Sequence, residues 1–151
     1  MTSKIKISVV GAAGRIGSQI MEQTLDSELF QLIGAIEANG SSHIGKDIST
    51  ITGGDKTGII ITDNALEVVV SSDAVIDFSS PQSTISICEL TAQARKVHVI
   101  GTTGFSAKQE EQILAAARHA TIIKSGNMSL GVNALLGTVE LLSNSLDNSW
   151  D

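Results

Sequence analysis

The stretch Ile5-Lys6-Ile7-Ser8-Val9-Val10-Gly11-Ala12-Ala13-Gly14-Arg15-Ile16-Gly17 decides how the rest of the chain is read. Ile5 to Val10 is rich in β-branched side chains and reads as a strand; it runs without a spacer into Gly11, Gly14 and Gly17, which open a helical pattern from Arg15 to Leu25. A strand that turns sharply into a helix through glycine can bring backbone N–H groups against a pyrophosphate, at a helix end whose dipole favours anions. The spacing G-x-x-G-x-x-G is a relaxed form of the dinucleotide-binding fingerprint, and by itself it is equally a tight structural turn.

Working outward, the next strand candidate, Leu32 to Ile36, is followed at once by Glu37, about twenty residues beyond Gly17. A carboxylate there is placed to accept hydrogen bonds from adenosine ribose hydroxyls. The residue after it is Ala38, so the simplest position for an arginine that would hold an NADP 2′-phosphate is empty. A charged hydrogen bond is worth about 1.5–3 kcal/mol, or roughly ten- to a hundred-fold in affinity. NADH is therefore expected to bind at least as well as NADPH, with Arg15 or Lys46 the nearest candidates to supply compensating charge.

The alternation continues along the chain. Strand-like Ile59 to Thr62 precedes helical Ala65 to Val70; Ala74 to Phe78 precedes Pro81 to Arg95; Val97 to Ile100 precedes Ala107 to Arg118; Thr121 to Ile123 precedes a last helix from about Val132 to Leu146. Strands alternating with helices predict an α/β fold with a doubly wound parallel sheet, a Rossmann-type dinucleotide-binding domain. Ser80-Pro81 and the capping box Ser106-Ala107-Lys108-Gln109 mark two helix starts. Ala38 to Gly58, with Gly40, Gly45, Gly53 and Gly54, reads as a mobile loop beside the cofactor groove. Three segments end later strands with small or polar residues, the usual place for a ligand in such a sheet: Asp77 to Pro81, Gly101 to Phe105 and Ser125 to Ser129. For each taken on its own, local turn chemistry is the preferred explanation.

Composition narrows the field. The chain has 151 residues, 42% of them hydrophobic, enough for one compact core, and a net charge of −6 that offers no basic field to nucleic acid or anionic lipid. No stretch is apolar for long enough to span a bilayer, and the N-terminus breaks at Gly11 before reaching the apolar length of a secretory signal, so a cytoplasmic location is expected. The single cysteine, Cys88, sits in an apolar run and reads as a buried hydrophobe. His43, His98 and His119 are scattered over a loop, a strand and a helix end; neither a catalytic group nor a metal site is expected.

Val10 to Gly17, Ile76-Asp77-Phe78-Ser79, Val99-Ile100-Gly101-Thr102-Thr103-Gly104-Phe105 and Asn127-Met128-Ser129-Leu130-Gly131-Val132-Asn133 resemble, in order and over the entire chain, the motifs of the dihydrodipicolinate reductases. The resemblance implies an NAD(P)H-dependent reduction of a cyclic dicarboxylate in lysine and diaminopimelate biosynthesis. It implies cofactor contacts at Gly11, Ala12, Ala13, Gly14, Arg15, Ile16, Glu37, Gly101, Thr102, Thr103, Ser125, Gly126, Asn127 and Met128. Ala38, where the family often has arginine, bears on NADPH preference, and Met128, where it often has an aromatic residue, bears on packing near the nicotinamide.

In the family, a histidine pair, a lysine and a Pro-Ser-Gly-Thr segment bind and protonate the substrate beyond the position matching Asp151. The chain is thus expected to lack the substrate domain and to be inactive alone. Residues 1–126 would be the dinucleotide-binding domain and 127–151 a hinge and the first helix of a truncated substrate domain. Leu135, Leu136, Val139, Leu142 and Leu146 would be left without partners, favouring association or partial disorder. The family usually assembles as homo-oligomers through the substrate domain. A stand-alone nicotinamide-dinucleotide sensing module is the alternative, and the cofactor domain of an aspartate or homoserine dehydrogenase is disfavoured by the Gly101–Phe105 and Asn127–Asn133 segments.

Overall fold

The computed structural model describes residues 3–146. Its elements run β1 (Ile5–Val10), α1 (Arg15–Leu25), β2 (Phe30–Ile36), α2 (Ser49–Thr52), β3 (Ile61–Thr62), α3 (Ala65–Ser71), β4 (Ala74–Asp77), α4 (Pro81–Ala94), β5 (Val97–Ile100), α5 (Ala107–Ala116), β6 (Thr121–Lys124) and α6 (Leu130–Ser145). The six strands form one sheet in the order β3-β2-β1-β4-β5-β6, and all the pairings between them are parallel. The order reverses between β1 and β4, which makes that gap the switch point where such sheets bind ligands. The doubly wound α/β expectation is met.

Side chains alternate across each strand, so each face acquires its own core. Val9, Met21, Leu32, Ala35, Ile48 and Ile61 pack between the sheet and α1 and α2. On the opposite face, Val10, Ile36, Val69, Val75 and Ile87 pack with α3 and α4, and Ile85, Cys88, Ile100, Ile113 and Ala116 continue the layer under α5. β4 and β5 bury only alternate residues; Ile76, Val97 and Val99, which point toward the α1 side, stay half-exposed, and Ile123 in β6 is 53% exposed.

Several boundaries differ from the sequence reading. β2 begins at Phe30, because Ile5 N–H donates to Leu29 O and extends the ladder back past Leu32. β3 keeps only Ile61–Thr62, since Ile59 and Ile60 turn to meet the preceding loop. The helices after β4 and β5 end at Ala94 and Ala116, earlier than read. α6 starts two residues early, at Leu130, because the Ser129 hydroxyl caps Val132 N–H.

The segment from Ala38 to Gly58 is corrected more substantially: it is an anchored loop. It contains α2 and a bridge between Asp47 and Ile60, and Ile48 is fully buried in the α1-side core. The Asp47 carboxylate accepts the backbone N–H groups of Ser49 (2.9 Å), Thr57 (3.3 Å) and Gly58 (2.7 Å), closing the loop on itself. Those donors hold the Asp47 carboxyl below its ordinary range. Sequence reading registered the glycines and missed the anchor, because one isoleucine and one aspartate carry no periodicity.

Candidate functional site

At the switch point the chain opens into a crevice with two adjoining parts. One, of about 380 Å³, is lined by Val10, Gly11, Ala13, Gly14, Glu37, Ala38, Phe78, Ser79, Ser80 and Ser83. The other, of about 370 Å³, is lined by Gly14, Arg15, Ile16, Phe78, Ser79 and Gly101 to Thr103. Gly14, Phe78 and Ser79 are common to both, so the crevice runs from the end of β2 across β1 and β4 to the end of β5.

Glycine makes that path possible at two points of close approach. Gly11 has φ +75°, and a Cβ there would lie 2.8 Å from Phe78 O, closing the gap between β1 and β4. A Cβ on Gly17 would run into Gly11 O, so the third glycine of the motif lets α1 start directly beneath the turn.

The N–H groups of the turn are unequally committed. Gly11 and Ala12 both donate to Ile36 O, at 3.0 and 3.2 Å, and Gly14 donates to Gly11 O at 3.0 Å. Ala13 donates to Glu37 Oε1 at 2.7 Å, which stations the carboxylate at the crevice mouth. Gly14 is the N-cap of α1 and offers no side-chain cap. The first helical N–H groups, those of Arg15 and Ile16, therefore have neither an intrahelical partner nor a capping oxygen, the arrangement that suits an anion.

Of the residues singled out in the sequence, Gly11, Ala13, Gly14, Arg15, Ile16, Glu37, Gly101, Thr102 and Thr103 line the crevice. Ala12 is fully buried behind the turn, packing in the core. Ser125, Gly126, Asn127 and Met128 lie beyond β6, one strand further along the same sheet edge, and line neither part of the crevice. They form their own knot: Ser129 N–H donates to Asn127 Oδ1 at 2.8 Å, and Asn133 Nδ2 donates to Asn127 O at 3.1 Å. Phe78, Ser79 and Ser80, named from sequence only as part of a strand-end segment and not as cofactor contacts, line the crevice, and so does Ser83, which the sequence did not single out. The signal was the strand end at Asp77, and it becomes readable only once β4 is known to neighbour β1.

The histidines sit apart: His43 is half-buried in the loop before α2, His119 is exposed, and His98 is buried in β5. Among the described residues no three or more His, Cys, Asp or Glu side chains are grouped to hold a metal ion, and no helix is long and apolar enough to cross a membrane.

Residues 5–128 match the family model described as dihydrodipicolinate reductase, N-terminus. The chain belongs to this reductase family. It is 49% identical over 152 aligned residues to the 4-hydroxy-tetrahydrodipicolinate reductase of Parvibaculum lavamentivorans, with 100% of this chain and 56% of that protein covered. It is 50% identical over 138 residues to the enzyme of that name from Brucella abortus, covering 91% of this chain and 52% of the relative. The chain thus spans about half the length of the curated reductases it matches. A solved dihydrodipicolinate reductase from Paenisporosarcina sp. TG-14, with dipicolinate bound, superposes with a TM-score of 0.68 at 19% identity, covering 85% of this chain and 49% of that one. At that identity the likeness speaks for the fold.

Proposed function

We propose that the crevice binds a nicotinamide dinucleotide and that the chain is the cofactor-binding half of an NAD(P)H-dependent dihydrodipicolinate reductase of lysine and diaminopimelate biosynthesis. The observation that carries the reading is the convergence, at the β1/β4 switch point, of an uncapped helix N-terminus, a carboxylate at the end of β2 and the Gly101–Thr103 turn at the end of β5. The residues fit the group: a cradle that a Cβ at Gly11 would fill, two uncommitted N–H groups for the pyrophosphate, and an acceptor for the ribose hydroxyls.

Gly11 to Gly14 would seat the pyrophosphate against the N–H groups of Arg15 and Ile16. Glu37 would accept from the adenosine ribose, and Thr102 and Thr103 would orient the nicotinamide end. When bound, the dinucleotide supplies a hydride; the chain's own residues bind and aim it. Ser125 to Met128 would join the contact by closing over the crevice from the neighbouring strand end.

The adenosine end bears on the choice between the two cofactors. Glu37 and Ala38 are the residues that follow β2 there, and no arginine or lysine lines that part of the crevice. A 2′-phosphate would meet the carboxylate without a cation, so NADH binds at least as well as NADPH.

The boundary near Gly126 belongs to the same reading. α6 follows it with Leu130 86%, Leu135 62%, Leu136 59%, Val139 54% and Leu142 52% exposed, the surface of an element whose packing partners belong to a further domain. The dicarboxylate and the groups that bind and protonate it would belong to that domain. Titrating the chain with NADH and NADPH, by calorimetry or nucleotide fluorescence, is the direct test. Saturable one-to-one binding is expected, and absence of binding to either nucleotide by a folded chain would sink the reading.

A further inference from the structure

Behind the crevice runs a line of buried polar side chains that the proposed cofactor contacts do not use. Asp77, closing β4, and His98, in β5, are both 0% exposed, and His98 Nε2 lies 3.4 Å from Asp77 Oδ2. Across the imidazole, Nδ1 lies 3.5 Å from Cys88 Sγ and 3.4 Å from Thr91 Oγ1, both on α4. Burial, with the Asp77 and Glu89 charges adding to it, pushes the Cys88 thiol up to about 12, so the sulfur keeps its proton as a donor. The Thr91 hydroxyl is committed to the carbonyls of Ile87 and Cys88, at 3.0 and 3.1 Å. One assignment satisfies the whole set: Cys88 S–H donates to His98 Nδ1, and His98 Nε2–H donates to Asp77 Oδ2.

The other carboxylate oxygen faces the crevice walls. Asp77 Oδ1 accepts the Ser79 N–H at 3.0 Å, accepts the Ser79 hydroxyl, and lies 3.4 Å from Thr102 Oγ1. The Ser79 N–H is shared with Thr102 Oγ1 at 3.1 Å, which closes a ring between the turn after β4 and the loop after β5. Ser79 and Thr102 line the crevice, while Asp77 and His98 line neither part of it. Ser79 lines both parts of the crevice and Thr102 only the second, while the adenosine end has a fastening of its own in Glu37 on Ala13.

Building on the reading of the crevice as a dinucleotide site, we propose that Asp77, held by His98, is a positioning residue that ties Ser79 to Thr102 and so sets the shape of the nicotinamide end. Its removal takes away the acceptor shared by both loops and leaves them joined by the Ser79 N–H to Thr102 Oγ1 bond of 3.1 Å and the Gly101 N–H to Asp77 O bond of 2.9 Å, which alone do not fix the Ser79 hydroxyl. The two ends of the crevice then respond differently.

The test is Asp77→Ala in the full chain, with NADH and ADP titrated separately. The NADH Kd rises by about tenfold or more, as for loss of a charge-assisted network, while the ADP Kd moves by less than about twofold. Asp77→Asn restores NADH binding, because an amide oxygen still accepts from Ser79 and the amide nitrogen donates to a His98 that has changed tautomer. Equal weakening of both ligands, or weakening of neither, overturns the proposal. Should Asp77→Ala fail to fold by circular dichroism, His98→Leu is read in the same way; selective NADH loss supports the positioning role, and unselective loss or no change overturns it. An unsubstituted chain that binds neither ligand overturns the cofactor reading, and the proposal with it.

Discussion

Glu37 is a side chain that the glycine turn holds in a fixed orientation. Its carboxylate accepts from Ala13 at 2.7 Å and from Ala38 at 3.2 Å, so it is already oriented toward the glycine turn. Glu37→Ala is expected to raise the NADH Kd by roughly ten- to a hundred-fold, the range for a charged hydrogen bond, with the fold intact by circular dichroism. Ala38→Arg shifts the balance toward NADPH, measured as the ratio of the two Kd values. Cys88 makes a different prediction. With its thiol pushed up to about 12 from an ordinary 9.0, it stays unreactive toward alkylating reagents near neutral pH until the chain unfolds. The folded state holds a proton that the unfolded state loses first, so this contribution to stability is complete below pH 9 and is lost as pH rises toward 12. Urea unfolding at about pH 8 and about pH 10.5 should show a smaller alkaline loss in Cys88→Ala than in the unsubstituted chain. Gly11, Glu37 and the inert cysteine were all legible in the sequence, because each is dictated by its immediate neighbours along the chain. Phe78 and Ser79 were legible only as a strand-end segment with no contact assigned, because their role depends on which strand lies beside β4.

The helices repeat that distinction. α5 carries a complete capping box, Ser106 with Gln109, and α4 starts at Pro81 after the Ser80 cap, both as the sequence predicts. α4 ends less comfortably: its C-cap, Arg95, has φ 53° and ψ 46°, a left-handed conformation that suits glycine. Arg95→Gly should raise stability by roughly 0.5–1 kcal/mol in chemical denaturation, the relief of left-handed strain less the entropy that glycine loses on folding. The loop before β3 was misjudged because its order comes from Ile48 reaching the core and from Asp47 gathering distant N–H groups, and neither contact is local. Periodicity places elements that bury a face; it says little about a loop that buries one side chain.

At the scale of the molecule, the described residues present apolar surface that the sheet and helices leave uncovered. The exposed leucines of α6 and the half-exposed Ile76, Val97 and Val99, with Ile123, are surfaces of a kind that drives association. In the chain as it stands, self-association is expected to rise with concentration in analytical ultracentrifugation, and Leu135→Glu with Leu142→Glu should reduce it without altering NADH affinity. The sequence by itself determined the parallel α/β fold, the glycine turn, the acid after β2 and membership of the reductase family, since these rest on local spacing and order along the chain. Leu146, which the sequence placed on the apolar face of the last helix, is instead the extended residue that follows α6, and it is 44% exposed. Only the tertiary structure decided that the β4 end joins the crevice, that Ser125 to Met128 stand outside it, and that Asp77 and His98 meet behind it. Those facts depend on strand order and burial, which bring together residues that no periodicity in the chain connects.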